Sequence, residues 1–218
     1  MVEIIPVINV KTKQKFKERL KILSGFSGTF QVDVADGIFT QWKNWNSPEE
    51  LKKIKKIRRR FELHLMINNP EEALPLWLES YPKRVVVHLE VVRDFSFLLQ
   101  QCQNWETELA LAIKPQTKIE ELKKYLPVIN FVTILGVDPG PSGQKFNWNV
   151  LKKISRLRKD YPNLDIELDG GVDEIVIPEA IKSGANILAI GSVIFGSENP
   201  KKKLIQLQRK FCQGKFPN

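Results

Sequence analysis

The sequence predicts a single (β/α)8 barrel, an α/β fold in which eight parallel strands close into a cylinder. Strand-like apolar runs alternate with segments of helical periodicity, and this pattern repeats eight times at about 27 residues per unit. No linker or low-complexity tract interrupts it, so residues 1–218 are treated as one domain. An open doubly wound sheet is the alternative. However, Asn9-Val10-Lys11-Thr12 after the first strand lacks the glycine-rich phosphate loop of such folds.

Eight runs rich in Val, Ile and Leu are the predicted strands. Strands of a parallel sheet are covered on both faces, so they read as nearly continuous apolar runs. The predicted strands cover residues 2–8, 28–34, 61–67, 84–90, 107–113, 129–137, 164–169 and 186–191.

Several of the intervening helices have recognisable start signals. A capping residue precedes a proline at Ser47-Pro48, Asn69-Pro70 and Asn199-Pro200, and Thr117 to Glu120 has the spacing of a capping box without proline. Pro178 predicts a short seventh helix that ends near Gly184.

Basic residues give the chain a net charge of +9, from 34 Lys and Arg against 25 Asp and Glu. They cluster at 52–60, 152–159 and 201–203. In the first cluster, Leu51, Ile54 and Ile57 recur at helical spacing, which predicts the solvated face of an amphipathic helix. We therefore expect no nucleic-acid partner. The positive field would instead attract an anionic metabolite such as a sugar phosphate.

The expected compartment is the cytoplasm. Cys102 and Cys212 are the only cysteines, too few for a disulfide framework in a chain of this length. No signal peptide is recognisable, and no apolar run reaches the roughly 18 residues of a membrane span. We expect no membrane association. A homo-oligomer is among the assemblies left open.

Polar residues gather where the predicted strands end, which is where barrel enzymes place their active sites. Strand 2 ends with Gln31, Asp33 and Asp36, and strand 7 ends with Asp169. Strands 3 and 4 carry His64, His88 and Glu90 at the same end, and the two histidines are the only ones in the chain. A carboxylate beside a core must be paired, hydrogen-bonded or bound to a metal.

Glycines gather at the ends of the last three strands. They occur in VDPGPSGQKF at 137–146, in DGG at 169–171 and in AIGSVIFG at 189–196. Glycine lets a backbone approach a ligand closely and expose its N–H groups, so these loops predict a phosphate site.

These segments carry a family resemblance. DVADGIF, LHLMI, VVHLE, VDPGPSGQKF, ELDGGV and GANILAIGSVIF resemble, in order and spacing, the motifs of ribulose-phosphate 3-epimerases from end to end of the chain. The resemblance implies inversion at C3 of a ketopentose phosphate, from D-ribulose 5-phosphate to D-xylulose 5-phosphate. It also implies one divalent metal ion, which could be zinc, iron, manganese or magnesium.

The resemblance also implies the site residues. Asp33 and Asp169 would be the acid–base pair and metal ligands, with His64 as a third ligand and Gln31 as a weaker fourth candidate. Met66 and His88 would lie in the same pocket. The phosphate would be bound by Gly140, Gly143, Gly170, Gly171, Gly191 and Ser192.

The chemistry suits two carboxylates from opposite sides of a barrel. Removal of the C3 proton next to a ketone gives an enediolate, and inversion needs one base on each face of that planar species. A divalent cation would stabilise the developing charge as a Lewis acid.

Three positions depart from the family's pattern. Gln31 stands where the family has a metal-binding histidine, and an amide oxygen is a weaker ligand than imidazole for zinc or iron. Val7 replaces a serine after the first-strand proline. Pro141 removes a backbone N–H from the loop after strand 6.

These departures leave three hypotheses open. The protein is a C3 epimerase of ketopentose phosphates, an epimerase of a ketohexose 6-phosphate, or a non-catalytic barrel that binds sugar phosphates or serves as a basic scaffold. A hexulose-phosphate synthase or decarboxylase is set aside, because strand 3 has no Asp-x-Lys-x-x-Asp pattern.

Overall fold

The computed structural model describes residues 2–212, which form a closed barrel of eight parallel strands in the order β1 to β8. The prediction of a (β/α)8 barrel is confirmed. The strands are β1 (Glu3–Ile8), β2 (Phe30–Ala35), β3 (Phe61–Met66), β4 (Arg84–His88), β5 (Glu108–Ile113), β6 (Phe131–Leu135), β7 (Asp165–Asp169) and β8 (Ile187–Ile190).

Helices surround the barrel. Three of the connections also contain short 3₁₀ turns, at Lys55–Ile57, Leu89–Val91 and Ile119–Leu122. The α-helices are α1 (Lys13–Ile22), α2 (Pro48–Leu51), α3 (Pro70–Leu78), α4 (Phe95–Asn104), α5 (Val150–Asp160), α6 (Val176–Ser183), α7 (Ser192–Phe195) and α8 (Pro200–Phe211).

Two apolar clusters hold the fold together. The larger lies between the strands and the helices, where the last helix contributes Leu204 and Leu207. The smaller lies inside the barrel and consists of Ile5, Val86, Ala110, Ala112, Phe131, Leu135 and Ile187. This inner cluster separates two polar layers, one at each end of the barrel.

The prediction of an amphipathic helix over residues 52–60 is wrong. Helix α2 ends at Leu51, and only a 3₁₀ turn at Lys55–Ile57 follows. A continuous helix would have crowded seven basic side chains onto two and a half turns, and like charges three or four residues apart destabilise a helix. Strand β3 also begins at Phe61, immediately after this segment, and Arg59 takes a left-handed conformation (φ 59°) two residues before that strand.

The other start signals have mixed outcomes. Asn199 caps α8 by accepting a hydrogen bond from the Lys202 N–H, whereas Ser47 and Asn69 make no side-chain cap. The capping box expected at Thr117 lies one residue later and opens only a 3₁₀ turn. Helix α6 contains Pro178 and ends at Gly184 (φ 105°), as predicted.

Within residues 2–212, no helix has both the length and the apolar character needed to cross a membrane. Cys102 and Cys212 are both buried free thiols.

Candidate active site

Asp33, His64 and Asp169 meet at the C-terminal end of the barrel. His64 Nδ1 lies 3.4 Å from Asp33 Oδ1 and 3.1 Å from Asp169 Oδ2. All three side chains are buried, and one ligand atom from each lies within 4.8 Å of the other two. Residues from three distant parts of the chain therefore form one compact centre.

Strand register explains this meeting. Asp33 on β2 pairs with His64 on β3, so the two side chains lie side by side on the inner face of the barrel. Asp169 is the last residue of β7, where it pairs with Ala189 of β8 and Leu135 of β6. Because the cylinder is narrow, Asp169 reaches the other two across its interior.

Gln31 occupies the middle of this centre. Its Nε2 donates hydrogen bonds to Asp33 Oδ1 (2.7 Å) and Asp169 Oδ2 (2.8 Å), and it lies 3.3 Å from His64 Nδ1. The amide thus touches all three candidate ligands. Its oxygen, Oε1, is buried without a hydrogen-bond partner.

Burial and close charges shift the ionisation of the centre. Burial raises the pKa of Asp33, and the charge of Asp169 adds to the rise, whereas the hydrogen bond from His64 opposes it. Burial alone would lower the pKa of His64, but its two carboxylate partners raise it to about 10. The imidazolium is therefore the counter-ion of the two carboxylates whenever its proton is held.

The donor set fits a divalent cation. Two carboxylates and an imidazole converge on one point, and a cation bound there would replace the His64 Nδ1 proton as their positive partner. The unpartnered Gln31 Oε1 agrees, because exchanging the oxygen and nitrogen of the amide would direct this oxygen at the centre as a fourth ligand. A mixed oxygen and nitrogen set suits borderline and hard divalent ions.

His88 lies behind His64 rather than in the wall of the cleft. Its Nε2 is 2.9 Å from His64 Nε2, and its Nδ1 is 3.4 Å from Glu90 Oε2. Burial lowers the pKa of His88 to about 4. Burial would raise the pKa of Glu90, but the hydrogen bond and charge of His88, with further hydrogen bonds, lower it to about 2. Phe39 covers the His88 ring at 4.6 Å between centroids.

A cleft with about 530 Å³ of empty space opens above the centre. Asp33, His64 and Asp169 form part of its lining, together with Met66. All six predicted phosphate-site residues also line it: Gly140, Gly143, Gly170, Gly171, Gly191 and Ser192. Position 170 requires glycine, because its backbone is left-handed (φ 92°) and a Cβ there would lie 2.5 Å from Val137 Cγ2.

The loop after β2 turns at Asp36 and Gly37. Asp36 Oδ1 accepts hydrogen bonds from the Ile38 and Phe39 N–H groups, and Oδ2 accepts one from the Asn68 N–H. Gly37 takes a left-handed conformation (φ 81°). Asp36 therefore shapes the loop and lies apart from the Asp33 centre.

Asn9 is a cleft residue that sequence reasoning missed. It follows β1, lines the cleft, and its Nδ2 donates to the Gly140 carbonyl (3.3 Å), while its Oδ1 accepts from Trp42 Nε1 and Asn44 Nδ2. It thus joins the β2 and β6 loops. The rule that polar residues at strand ends face the site would have found it on β1.

Fold and site together define a barrel enzyme whose reaction centre lies at the C-terminal ends of its strands. Comparison with known proteins narrows this class. The model of the Ribulose-phosphate 3 epimerase family matches residues 3–195, and the chain belongs to that family.

Two curated relatives agree with this assignment. The cytoplasmic isoform of ribulose-phosphate 3-epimerase from Oryza sativa subsp. japonica is 32% identical over 187 residues, covering 84% of this chain and 82% of that protein. The ribulose-phosphate 3-epimerase of Eremothecium gossypii is 31% identical over 141 residues, which cover 65% of this chain and 59% of that protein.

Among solved structures, the 3-hexulose-6-phosphate synthase from Salmonella typhimurium superposes with a TM-score of 0.74 over 97% of this chain and 99% of that chain. The two are 11% identical, so this likeness supports the barrel fold alone.

Proposed function

We propose that this protein is a C3 epimerase of a ketopentose 5-phosphate, which interconverts D-ribulose 5-phosphate and D-xylulose 5-phosphate in the cytoplasm. The observation that carries the proposal is the approach of Asp33 and Asp169, from β2 and β7, to one buried imidazole beneath an open cleft. Membership of the family supports the same reaction.

The two carboxylates divide the proton transfer between them. One removes the C3 proton from one face of the sugar, and the other returns a proton to the opposite face of the flat enediolate. The raised pKa of Asp33 favours the protonated form of this carboxyl, as a proton donor needs. The two aspartates exchange roles when the substrate is the other epimer.

The other residues of the centre hold the geometry and the charge. Asp33, His64, Asp169 and the Gln31 amide oxygen would hold a divalent ion, and this ion would supply Lewis-acid stabilisation of the charge that develops on the sugar oxygens. The amide oxygen favours manganese or magnesium over zinc or iron. Without a ring nitrogen at position 31, the cation would be held less tightly.

The glycine-lined side of the cleft would bind the phosphate. Four of its residues have positive φ, which turns backbone N–H groups in directions that other residues rarely reach; they are Gly140, Gly143, Gly170 and Gly171. Gly191 and Ser192 would add contacts from the end of β8. Met66 would form an apolar wall beside the sugar carbons.

The test is a substrate comparison by NMR. Purified protein supplied in turn with Mg²⁺, Mn²⁺, Fe²⁺ and Zn²⁺ should convert ribulose 5-phosphate to xylulose 5-phosphate faster than it epimerises a ketohexose 6-phosphate. A reversed preference would make the enzyme a hexulose-phosphate epimerase. Binding of both sugars without turnover under any cation would leave only a sugar-phosphate-binding barrel.

A further inference from the structure

A chain of close polar contacts leads outward from the candidate metal centre through the protein's two histidines. His64 Nε2 lies 2.9 Å from His88 Nε2, and His88 Nδ1 lies 3.4 Å from Glu90 Oε2. The far end of the chain is fixed, because Glu90 Oε1 accepts hydrogen bonds from the Lys114 N–H (2.7 Å) and from Thr117 Oγ1. Both imidazoles are buried.

With His88 neutral and Glu90 ionised, the donors and acceptors allow one arrangement of protons. An ionised carboxylate only accepts hydrogen bonds, so the proton of a neutral His88 belongs on Nδ1, facing Glu90. His88 Nε2 is then an acceptor, and the proton between the two rings must belong to His64 Nε2. His64 Nδ1 is left facing Asp33 and Asp169.

We propose that His88 and Glu90 are positioning residues that act through His64. They hold its ring with Nε2 protonated, so that Nδ1 is directed at the two aspartates as a ligand for a divalent cation. The inference rests on the proposed function only in taking a divalent cation as the group that His64 holds. Outer partners of this kind fix both the orientation and the tautomer of a ligating histidine.

Packing supports the assignment. Phe39 covers the face of His88, and Lys114 Nζ lies 4.0 Å from the centre of the Phe39 ring. The His88 ring is thus covered on one face, with Nε2 facing His64 and Nδ1 facing Glu90. A purely structural histidine would not need both nitrogens aligned between a candidate ligand and a fixed carboxylate.

The direct test is ¹⁵N NMR of histidine-labelled protein without an affinity tag. The protein has only two histidines, so the signals of four ring nitrogens report the protonation of both rings. In the Zn²⁺-loaded protein we expect His88 to carry its proton on Nδ1 and His64 to carry its proton on Nε2. A His88 protonated on Nε2, or a His64 protonated on Nδ1, would overturn the proposal.

A matched pair of variants tests the consequence for binding. In His88→Gln the side-chain amide keeps an acceptor near the position of Nε2, whereas His88→Met keeps the volume and removes the acceptor. By competition against a chelator, we expect His88→Met to lose about ten- to hundredfold in Zn²⁺ affinity. His88→Gln should retain most of it.

Phe39→Leu is the packing control, since it loosens the cover of His88 without removing a hydrogen bond. Equal losses of affinity in His88→Gln, His88→Met and Phe39→Leu would mean that packing alone matters, and would overturn the proposal. Thermal unfolding of each variant reports its folding.

None of these readouts needs a substrate. Predicted tautomers and affinities in a protein that epimerises nothing would contradict the proposed function and leave this inference standing. Normal epimerisation with the wrong tautomers would do the reverse.

Discussion

Two buried polar clusters lie at opposite ends of the same barrel, and the same strands build both. At the mouth, which is the C-terminal end of the barrel, β3 and β7 provide His64 and Asp169. Two residues earlier on each strand, at the closed end, they provide Glu62 and Glu167. Since side chains two apart on a strand share a face, both pairs point into the barrel.

The closed-end cluster contains its own counter-charge. Arg84 binds Glu62 (2.7 Å) and Glu108 (2.8 Å), and its guanidinium stacks 3.4 Å from the centre of the Phe131 ring. Glu167 accepts a hydrogen bond from Thr133 (2.9 Å). A guanidinium with two carboxylate partners and an aromatic face is bound in place.

The mouth cluster differs in two respects. Its positive partner is the exchangeable proton of His64 rather than a fixed arginine, and it opens into the cleft, whose lining includes no residue of the closed-end cluster. Burial of acids is therefore common to both ends. The mouth, where catalysis is proposed to take place, differs in having an exchangeable cation and an opening through which a ligand can enter.

The largest expected effect is on activity at the mouth. Asp33→Asn or Asp169→Asn should lower the epimerisation rate about 10²- to 10⁴-fold, because each variant removes one of the two proposed proton carriers. The measurement is the rate of interconversion at saturating substrate. A variant that retains most of the rate would remove that aspartate from the mechanism.

Asp33 and Asp169 should contribute less to the free energy of unfolding than Arg84 and its partners at the closed end do. Arg84→Met leaves the buried Glu62 and the partly exposed Glu108 without their cation, so we expect the free energy of unfolding to fall by about 3–5 kcal/mol. Denaturant unfolding measures this loss. Adding Glu62→Leu to Arg84→Met should recover part of it; no recovery would mean that Arg84 acts mainly through its stacking on Phe131.

A smaller effect is expected from Gln31→His, which restores a ring nitrogen at the mouth. Divalent-cation affinity should rise about tenfold, most for Zn²⁺, because imidazole is a stronger ligand than an amide oxygen. Isothermal titration of the cation-free protein measures it, with Gln31→Leu as the variant that offers no ligand. Unchanged affinity in both would show that position 31 does not contact the cation.

The smallest effect is a pH dependence at the closed end. Burial, with the nearby charge of Glu62, raises the pKa of Glu167 well above the ordinary value of 4.5. The folded protein then holds a proton that the unfolded chain releases, so this group's contribution to stability falls as the pH rises above about 4.5.

Glu167→Gln should remove this contribution to the pH dependence of the free energy of unfolding. Relative to the unaltered protein, the variant's free energy of unfolding should increase from about pH 5 to pH 8. Glu72→Gln, at an exposed glutamate on α3, is the control. Parallel curves of unfolding free energy against pH for Glu167→Gln and the unaltered protein would contradict the raised pKa of Glu167.

The sequence predicted the barrel because its buried strands are nearly continuous apolar runs. It predicted Asp33, His64 and Asp169 because strand ends and the family's motifs point to them. Gln31 was expected there only as a weaker fourth ligand, and its hydrogen bond to Asp169 could not be predicted, since that contact spans 138 residues and exists only once the barrel closes.

The closed-end cluster was missed for a related reason. Glu62 and Glu167 lie within strands, where the sequence alone does not show which face they occupy. The register of β3 with β4 brings Glu62 to Arg84, and that of β6 with β7 brings Glu167 to Thr133. The false helix over 52–60 came from apolar spacing alone, which ignores repulsion between neighbouring lysines and arginines.

The most direct test of the paired aspartates is the fate of the C3 hydrogen during a single conversion in D₂O. Xylulose 5-phosphate formed from unlabelled ribulose 5-phosphate should carry deuterium at C3 and at no other carbon, because the proton returned comes from a carboxylate in exchange with solvent. Product that retains its original hydrogen at C3 would contradict proton transfer through Asp33 and Asp169.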